Sequence, residues 1–151
     1  MMLCHKNNST LGVFAAVFVV ISAATASNDL VTDPAIASKL HPNQMFAGYI
    51  PVALTNNSTP RGNNPVVANV YYNYIQHPDE TKPLVVWMNG GPGASSLIGM
   101  FNEVGPILLN SQSRPASTPA GSRDDTWTLL KNPHAWSTVA SLLVWEQPAG
   151  T

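Results

Sequence analysis

The residues of this chain best suited to chemistry form a glycine-rich run, Asn89-Gly90-Gly91-Pro92-Gly93, between an apolar stretch and a probable helix. Without side chains in the way, main-chain N–H groups approach a reacting atom closely and the turn can adopt positive φ values. Unpaired N–H groups at a helix start add partial positive charge, which favours an anion. The run predicts an oxyanion-binding turn; a plain tight turn between strand and helix is the structural alternative.

Other catalytic motifs do not fit this run. No Gly-Lys-Ser/Thr follows, which excludes a phosphate loop, and the third glycine of a dinucleotide-binding turn is missing. Ser95 and Ser96 lack the closing glycine of a Gly-x-Ser-x-Gly elbow, so we expect them to cap the helix rather than act as nucleophiles. No metal or cofactor is expected, because no His/Cys/Asp/Glu cluster has ligand spacing. Surface or loop roles are expected for His41, His77 and His134.

The composition excludes several classes of protein. Of 151 residues, 44% are hydrophobic and 10% charged, with a formal net charge of -1. Globular proteins carry roughly 25% charged residues, so the low value argues against a disordered tail or a coiled coil. The seven Lys and Arg residues are scattered, which excludes a nucleic-acid partner. Thirteen Pro and ten Gly indicate a turn-rich α/β or β architecture.

Residues 1–26 are predicted to be a secretory signal peptide. A weakly basic start precedes the apolar run Leu11–Ala23, and Ala24-Thr25-Ala26 offers the small residues of a cleavage site. The apolar run has about 13 residues and a bilayer span needs about 20, so a membrane anchor is the weaker alternative. Cleavage after Ala26 would discard Cys4, the only cysteine, and leave residues 27–151 without a disulfide.

The elements around the glycine-rich run have an α/β pattern. We first predict a short helix around Pro34–Leu40 and antiparallel strands at Met45–Val52 and Val66–Ile75. A buried strand at Leu84–Met88 follows, and then a helix from Ser95 to about Asn102 that is ended by Gly105-Pro106. The last predicted element is a second buried strand at Ser141–Trp145. Alternation predicts that the second antiparallel strand is half-buried, with Asn69 and Asn73 on its polar face. Because no helix follows Trp145, we expect an incomplete fold in which the second buried strand has an unpaired edge.

The run Trp87–Pro106 closely resembles the signature of the serine carboxypeptidases, which are secreted, vacuolar or lysosomal α/β-hydrolases. Further blocks resemble this family in the same order, at Phe46–Ile50, Tyr71–Ile75, Asn132–Trp136 and Val144–Gly150. The resemblance implies that residues 27–151 are the incomplete N-terminal part of an α/β-hydrolase fold. That part has two antiparallel strands, then parallel strands with a crossover helix.

The resemblance also implies roles for particular residues. The N–H of Gly91 would form half of an oxyanion hole, with Gly90 in the same loop. Asn89 would bind the free α-carboxylate of a peptide substrate, supported by Trp87 and by Glu103, the latter as a member of a carboxyl–carboxylate pair favoured at acidic pH. The structural alternatives are a turn former for Asn89, core packing for Trp87 and an exposed helix acid for Glu103.

The implied function is a serine-type carboxypeptidase that acts on peptide or protein C-termini without a cofactor. The family's catalytic Ser, Asp and His lie downstream of residue 151, so we expect these 151 residues to be inactive alone. A serine carboxypeptidase-like acyltransferase and a secreted, non-catalytic peptide-binding protein are the alternatives. Ala94 departs from the cysteine that many members carry, which we expect to loosen the loop.

The expected location is the secretory pathway, ending outside the cell or in a vacuole or lysosome. No membrane association is expected after signal cleavage. Asn56 and Asn57 are predicted N-glycosylation acceptors in the loop Thr55–Pro65, with Pro60 making Asn57 the weaker of the two.

Overall fold

A mixed five-stranded sheet forms the centre of the fold. The computed structural model describes residues 2–4, 29–54, 66–91, 93–114, 127–148 and 150. The strands of the sheet are β1 (Met2–Cys4), β2 (Gln44–Leu54), β3 (Val66–Gln76), β4 (Leu84–Trp87) and β7 (Ser141–Trp145). Their order is β1-β4-β7-β3-β2, with β4 and β7 parallel and every other neighbouring pair antiparallel. The predicted antiparallel pair and the predicted parallel pair are both confirmed.

The other elements are short. They are α1 (Pro34–Leu40), α2 (Ser96–Gly99) with a π-helical turn (Met100–Val104), the small antiparallel pair β5 (Ile107–Leu108) and β6 (Leu130–Lys131), and 3-10 turns at Ser111–Ser113 and Trp136–Thr138. Helix α1 has its predicted bounds because Pro34 fits its first turn and Asp33 Oδ1 accepts the N–H groups of Ala35 and Ile36. The predicted second helix contains only one α-helical turn, and the π-helical turn then runs to Gly105.

The strands β2 and β3 form a hairpin longer than the rest of the sheet. They pair over eleven residues each, from Gln44 opposite Gln76 to Leu54 opposite Val66. Of the eleven residues of β3, only the segment Tyr72–Ile75 pairs with β7. Since β3 runs antiparallel to β7, the remaining arm of the hairpin extends past the carboxyl end of β7.

Apolar side chains pack on both faces of the sheet. One face meets the helices and turns, where the buried residues are Leu40, Met45, Ile75, Val85, Met100, Val104, Ile107, Ala140, Leu142 and Val144. The opposite face carries Phe46, Tyr72, Tyr74, Leu84 and Leu143. Adjacent residues of β7 thus point into both clusters, as its unbroken apolar sequence predicts for a parallel strand covered on both sides.

Two expectations about the strands are wrong. Strand β3 is not half-buried, because it lies inside the sheet with both faces covered over Tyr72–Ile75; Asn69 is exposed as expected, but Asn73 is only 1% exposed. Strand β7 has no unpaired edge, because β4 and β3 flank it.

Two predictions fall on regions that the structure describes little or not at all. Strand β1 lies within the predicted signal peptide and pairs with the outer edge of β4. Cleavage after Ala26 would remove β1 and uncover that edge, and the signal peptide stays a prediction. The glycosylation acceptors Asn56 and Asn57 lie outside the described residues. Within the described ranges, no helix has the length and apolar character needed to cross a membrane.

Replacing the buried Asn73 by an apolar residue is expected to stabilise the protein. Its Oδ1 is buried without a hydrogen-bond partner among the described residues. Leucine has a similar size and no polar atom, so we expect Asn73→Leu to raise the free energy of unfolding by about 1–3 kcal/mol, the cost of an unsatisfied buried group. Urea unfolding of the full-length protein measures the change.

Asn132 provides the matched control, because it is also buried but fully engaged. Its Nδ2 donates to the carbonyls of Glu103 at 2.9 Å and Gly105 at 2.8 Å, and its Oδ1 accepts the N–H of His134. Asn132→Leu should therefore lower stability. Equal destabilisation by both substitutions would contradict the unpaired state of Asn73.

Candidate active site

The glycine-rich turn lies at the carboxyl ends of the parallel strands β4 and β7. Open α/β sheets bind ligands at this edge. Gly91 and Gly93 have φ values of 143° and 90°, in the region that favours glycine. A Cβ on Gly91 would also crowd the main-chain nitrogens of Gly93 and Ala94, at 3.1 and 3.0 Å. The backbone conformation of the turn therefore requires glycine at position 91.

Gly90 has a different environment from Gly91. A Cβ at this position would meet nothing within 4 Å, and the residue is exposed. Its missing side chain leaves open space in front of the turn. Within the described part of the chain, no hydrogen bond engages the N–H groups of Gly90 or Gly91. Both groups are thus available to an acceptor on a ligand.

The side chain of Asn89 is oriented by Trp87. The indole Nε1–H donates to Asn89 Oδ1 at 2.7 Å. The Trp87 ring is itself held edge-on against Trp136, with ring centroids 5.5 Å apart, and any side chain at Gly99 would clash with it. None of the described hydrogen bonds engages the NH₂ group of Asn89, which can only donate to a ligand. A carboxylate, which can only accept when ionised, suits that donor.

Ser96 fixes the main chain of the same turn. Its hydroxyl accepts the N–H of Asn89 at 3.1 Å and donates to the carbonyl of Trp145 at 2.6 Å. The side chain is fully buried, at 0% exposure. One hydroxyl thereby joins the ends of β4 and β7 to the first turn of α2. Ser95 is the N-cap of α2, as predicted, and its Oγ accepts the N–H of Leu97.

A buried carboxylate, Glu146, lies beside this turn. It is 4% exposed, and its Oε1 accepts the Ser95 hydroxyl at 3.0 Å and the N–H of Leu97 at 2.9 Å. In the parallel pair Trp87 is opposite Val144, so Asn89 and Glu146, each two residues further along, leave the sheet side by side.

Glu146 lies within Val144–Gly150, a block that resembles the family, and it has no role predicted from the sequence. The signal that could have identified it is a single acidic residue placed directly after a buried parallel strand. Such a residue reaches the same sheet edge as the glycine-rich turn.

Glu103 is placed differently from the other predicted site residues. Its side chain is exposed in the π-helical turn, and its main-chain carbonyl accepts from Asn132. None of the described hydrogen bonds or ion pairs joins its carboxylate to Trp87, Asn89 or Glu146. The structure thus brings together Trp87, Asn89 and the glycines. The supporting role of Glu103 stays a prediction. Among the described residues, no three His, Cys, Asp or Glu side chains are grouped to hold a metal.

Ser96→Ala should destabilise the protein and loosen the turn. The substitution removes one oxygen and leaves the Asn89 N–H and the Trp145 carbonyl unpaired, so we expect a loss of about 1–3 kcal/mol in the free energy of unfolding. Hydrogen exchange at the Asn89 amide should accelerate. Ser111→Ala is the control, because Ser111 is exposed. If both variants unfold and exchange alike, the Ser96 hydroxyl does not hold the turn.

Comparison with known proteins identifies the family of this chain. Residues 34–151 match the serine carboxypeptidase family, Peptidase_S10. Over 110 residues the chain is 34% identical to Serine carboxypeptidase-like 36 of Arabidopsis thaliana, a match that covers 72% of this chain and 18% of the relative. Over 82 residues it is 38% identical to the Lysosomal protective protein of Mus musculus, covering 53% of this chain and 15% of that protein.

The fold of this chain is also similar to that of a solved carboxypeptidase structure. The crystal structure of Kex1(delta)p, a prohormone-processing carboxypeptidase from Saccharomyces cerevisiae, aligns with a TM-score of 0.52 and 28% identity, covering 80% of this chain and 21% of that one. The chain thus spans about a fifth of the length of these proteins. Since the family match covers most of the chain and the fold agrees, this chain belongs to the serine carboxypeptidase family and has part of its α/β-hydrolase fold.

Proposed function

We propose that the protein is a serine-type carboxypeptidase that releases C-terminal residues from peptides or proteins. In this proposal, the described site binds the terminal carboxylate and the oxyanion. The observation that carries it is the hydrogen bond from Trp87 Nε1 to Asn89 Oδ1, which leaves a fixed NH₂ donor next to unengaged main-chain N–H groups.

The spacing of these donors fits the substrate class. In a peptide, the scissile carbonyl and the terminal carboxylate belong to successive residues, whose Cα atoms are about 3.8 Å apart. Asn89 and Gly91 are two residues apart in one turn, so their donors can serve both groups together. Asn89 would bind the carboxylate, and the Gly91 N–H would stabilise the oxyanion of the tetrahedral intermediate. A substrate without a terminal carboxylate would leave the Asn89 donor unpaired, which provides selectivity for chain ends.

Glu146 supplies a carboxyl group next to the proposed carboxylate site. Two ionised carboxylates repel each other, whereas a protonated and an ionised one can share a hydrogen bond. The proposal keeps the preference for acidic pH that the family resemblance implies, with Glu103 as the predicted supporting member of a carboxyl–carboxylate pair. Glu146 is a second, buried acid at the same edge of the sheet as Asn89.

The nucleophilic half of the mechanism requires residues that are not among these 151. The sequence has no Gly-x-Ser-x-Gly elbow. In the proposed reaction a serine from elsewhere in the protein attacks the carbonyl, a histidine accepts its proton, and an acyl-enzyme forms and is hydrolysed. Residues 1–151 by themselves would bind substrate without turnover.

The proposed location is the secretory pathway, entered through the predicted signal peptide. The name of the mouse relative describes that protein as lysosomal, which supports a vacuolar or lysosomal destination or export from the cell. N-glycosylation at Asn56 or Asn57 belongs to the same proposal.

Full-length protein should hydrolyse a peptide with a free C-terminal carboxylate and leave the same peptide with a C-terminal amide intact. Asn89→Ala should lower kcat/KM for the free peptide by about 10- to 100-fold, the equivalent of one hydrogen bond to a charged group. Steady-state assays at acidic and neutral pH measure both effects.

Asn102→Ala is the control for this assay, because Asn102 is exposed and its Nδ2 donates to the Ile98 carbonyl. It should retain wild-type kinetics. Equal rates on the free and amidated peptides, or no turnover by the full-length protein, would contradict the proposal. Tight binding of the free peptide without turnover would indicate the non-catalytic binding protein instead.

A further inference from the structure

A cavity of about 220 Å³ lies at the other end of the sheet from the glycine-rich turn. The end of α1, the start of β2, the turn after β3, strand β6 and the 3-10 turn Trp136–Thr138 surround it. One of its lining residues, His77, donates its main-chain N–H to Ser141 Oγ, and Ser141 is the first residue of β7. The cavity therefore lies near the amino end of β7, and the candidate active site lies at the carboxyl end.

The lining of this cavity is basic. It includes Lys39, His41, His77 and Lys131, and it contains no acidic residue. These are two of the four lysines and two of the four histidines in a chain whose net charge is -1. With so few basic residues in the sequence, their convergence on one cavity favours a negatively charged ligand.

The nearest acidic side chain in sequence, Asp79, is directed into its own turn. Its Oδ1 accepts the hydroxyl of Thr81 at 2.6 Å and the N–H of Thr81 at 2.9 Å. These hydrogen bonds hold the pKa of Asp79 below its ordinary value. Neither Asp79 nor the neighbouring Glu80 lines the cavity.

Several polar groups of the cavity wall are already paired with each other. Asn43 Nδ2 donates to the Ser137 carbonyl at 2.7 Å, and the N–H of Asn43 donates to the Leu40 carbonyl. The Nδ1 atom of His77 lies 3.0 Å from the main-chain nitrogen of Asp79 and 3.3 Å from its carbonyl oxygen; in the tautomer in which Nδ1 accepts the N–H of Asp79, the ring proton is on Nε2. The carbonyls of Ser137 and Leu40 thus already accept hydrogen bonds from Asn43. None of the described hydrogen bonds or ion pairs engages the ammonium groups of Lys39 and Lys131, which can therefore contact a ligand together with the His77 ring.

We propose that this cavity binds a small phosphate-type oxyanion, as inorganic phosphate or as the phosphate group of a small monoester. A water molecule occupies about 30 Å³, so the volume admits a phosphate with several waters or a short ester chain. Lysine ammonium groups bind phosphate as point charges, and the His77 Nε2–H adds a directional donor. The proposal is independent of carboxypeptidase activity, because none of the glycine-turn residues takes part.

The test uses the full-length protein and inorganic phosphate, exchanged for chloride at constant ionic strength. Phosphate should raise Tm in a saturable way, since a ligand that binds only the folded state stabilises it. The double variant Lys39→Gln/Lys131→Gln should bind phosphate at least tenfold more weakly by calorimetry. Lys82→Gln is the matched control, because Lys82 is exposed and outside the cavity lining.

Two further variants and a second ligand test the role of His77 and the identity of the bound anion. His77→Phe, which removes the ring N–H donor without changing a lysine, should weaken binding as well, and Asn89→Ala should leave it unchanged. Glycerol 3-phosphate binding more tightly than phosphate would identify a monoester as the ligand; the reverse order would identify free phosphate. No saturable effect, or an equal effect in the double lysine variant and Lys82→Gln, would overturn the proposal.

Discussion

One buried hydroxyl group determines the geometry of the candidate active site. Ser96 Oγ accepts from the Asn89 N–H and donates to the Trp145 carbonyl, so it joins two parallel strands where their own hydrogen bonding ends. Strand ends leave main-chain groups unpaired, and such groups are costly when they are buried. The hydroxyl satisfies one group from each strand and sets the direction in which the glycine-rich turn leaves the sheet. The main chain at Asn89, where the turn begins, depends on this link.

The turn combines a fixed polar side chain with an open backbone. Trp87 holds the amide oxygen of Asn89, so the side chain presents only its NH₂ group. Gly91 adopts a backbone conformation that a larger residue would resist, while Gly90 leaves the space in front of the turn empty. Such preorganised donors stabilise a developing charge without having to rearrange during the reaction. In the proposed function, these donors would bind the terminal carboxylate of a peptide and the oxyanion that forms from its scissile carbonyl.

The two ends of the sheet have different chemistry. At the carboxyl edge a buried acid, Glu146, is held by Ser95 and by the first turn of α2, beside main-chain donors. At the other end, the basic cavity contains two lysines and two histidines but no acid. Because interactions between exposed charges are screened beyond about 8–10 Å in physiological salt, ligands at the two ends would act largely independently.

The sequence by itself determined the order of the elements and the position of the turn, because these depend on local signals. Asp33 and Pro34 mark the start of α1, and the unbroken apolar run of β7 predicted burial on both faces. Glycine spacing located the site, and the resemblance to serine carboxypeptidases provided the family. Only the tertiary structure decided which polar residues are buried. Asn73 looked solvent-facing, yet strand order places it inside the sheet, and Glu146, which had no predicted role, is buried at the carboxyl edge of the sheet. Strand order and register bring together residues far apart in the chain, and local periodicity contains no information on such contacts.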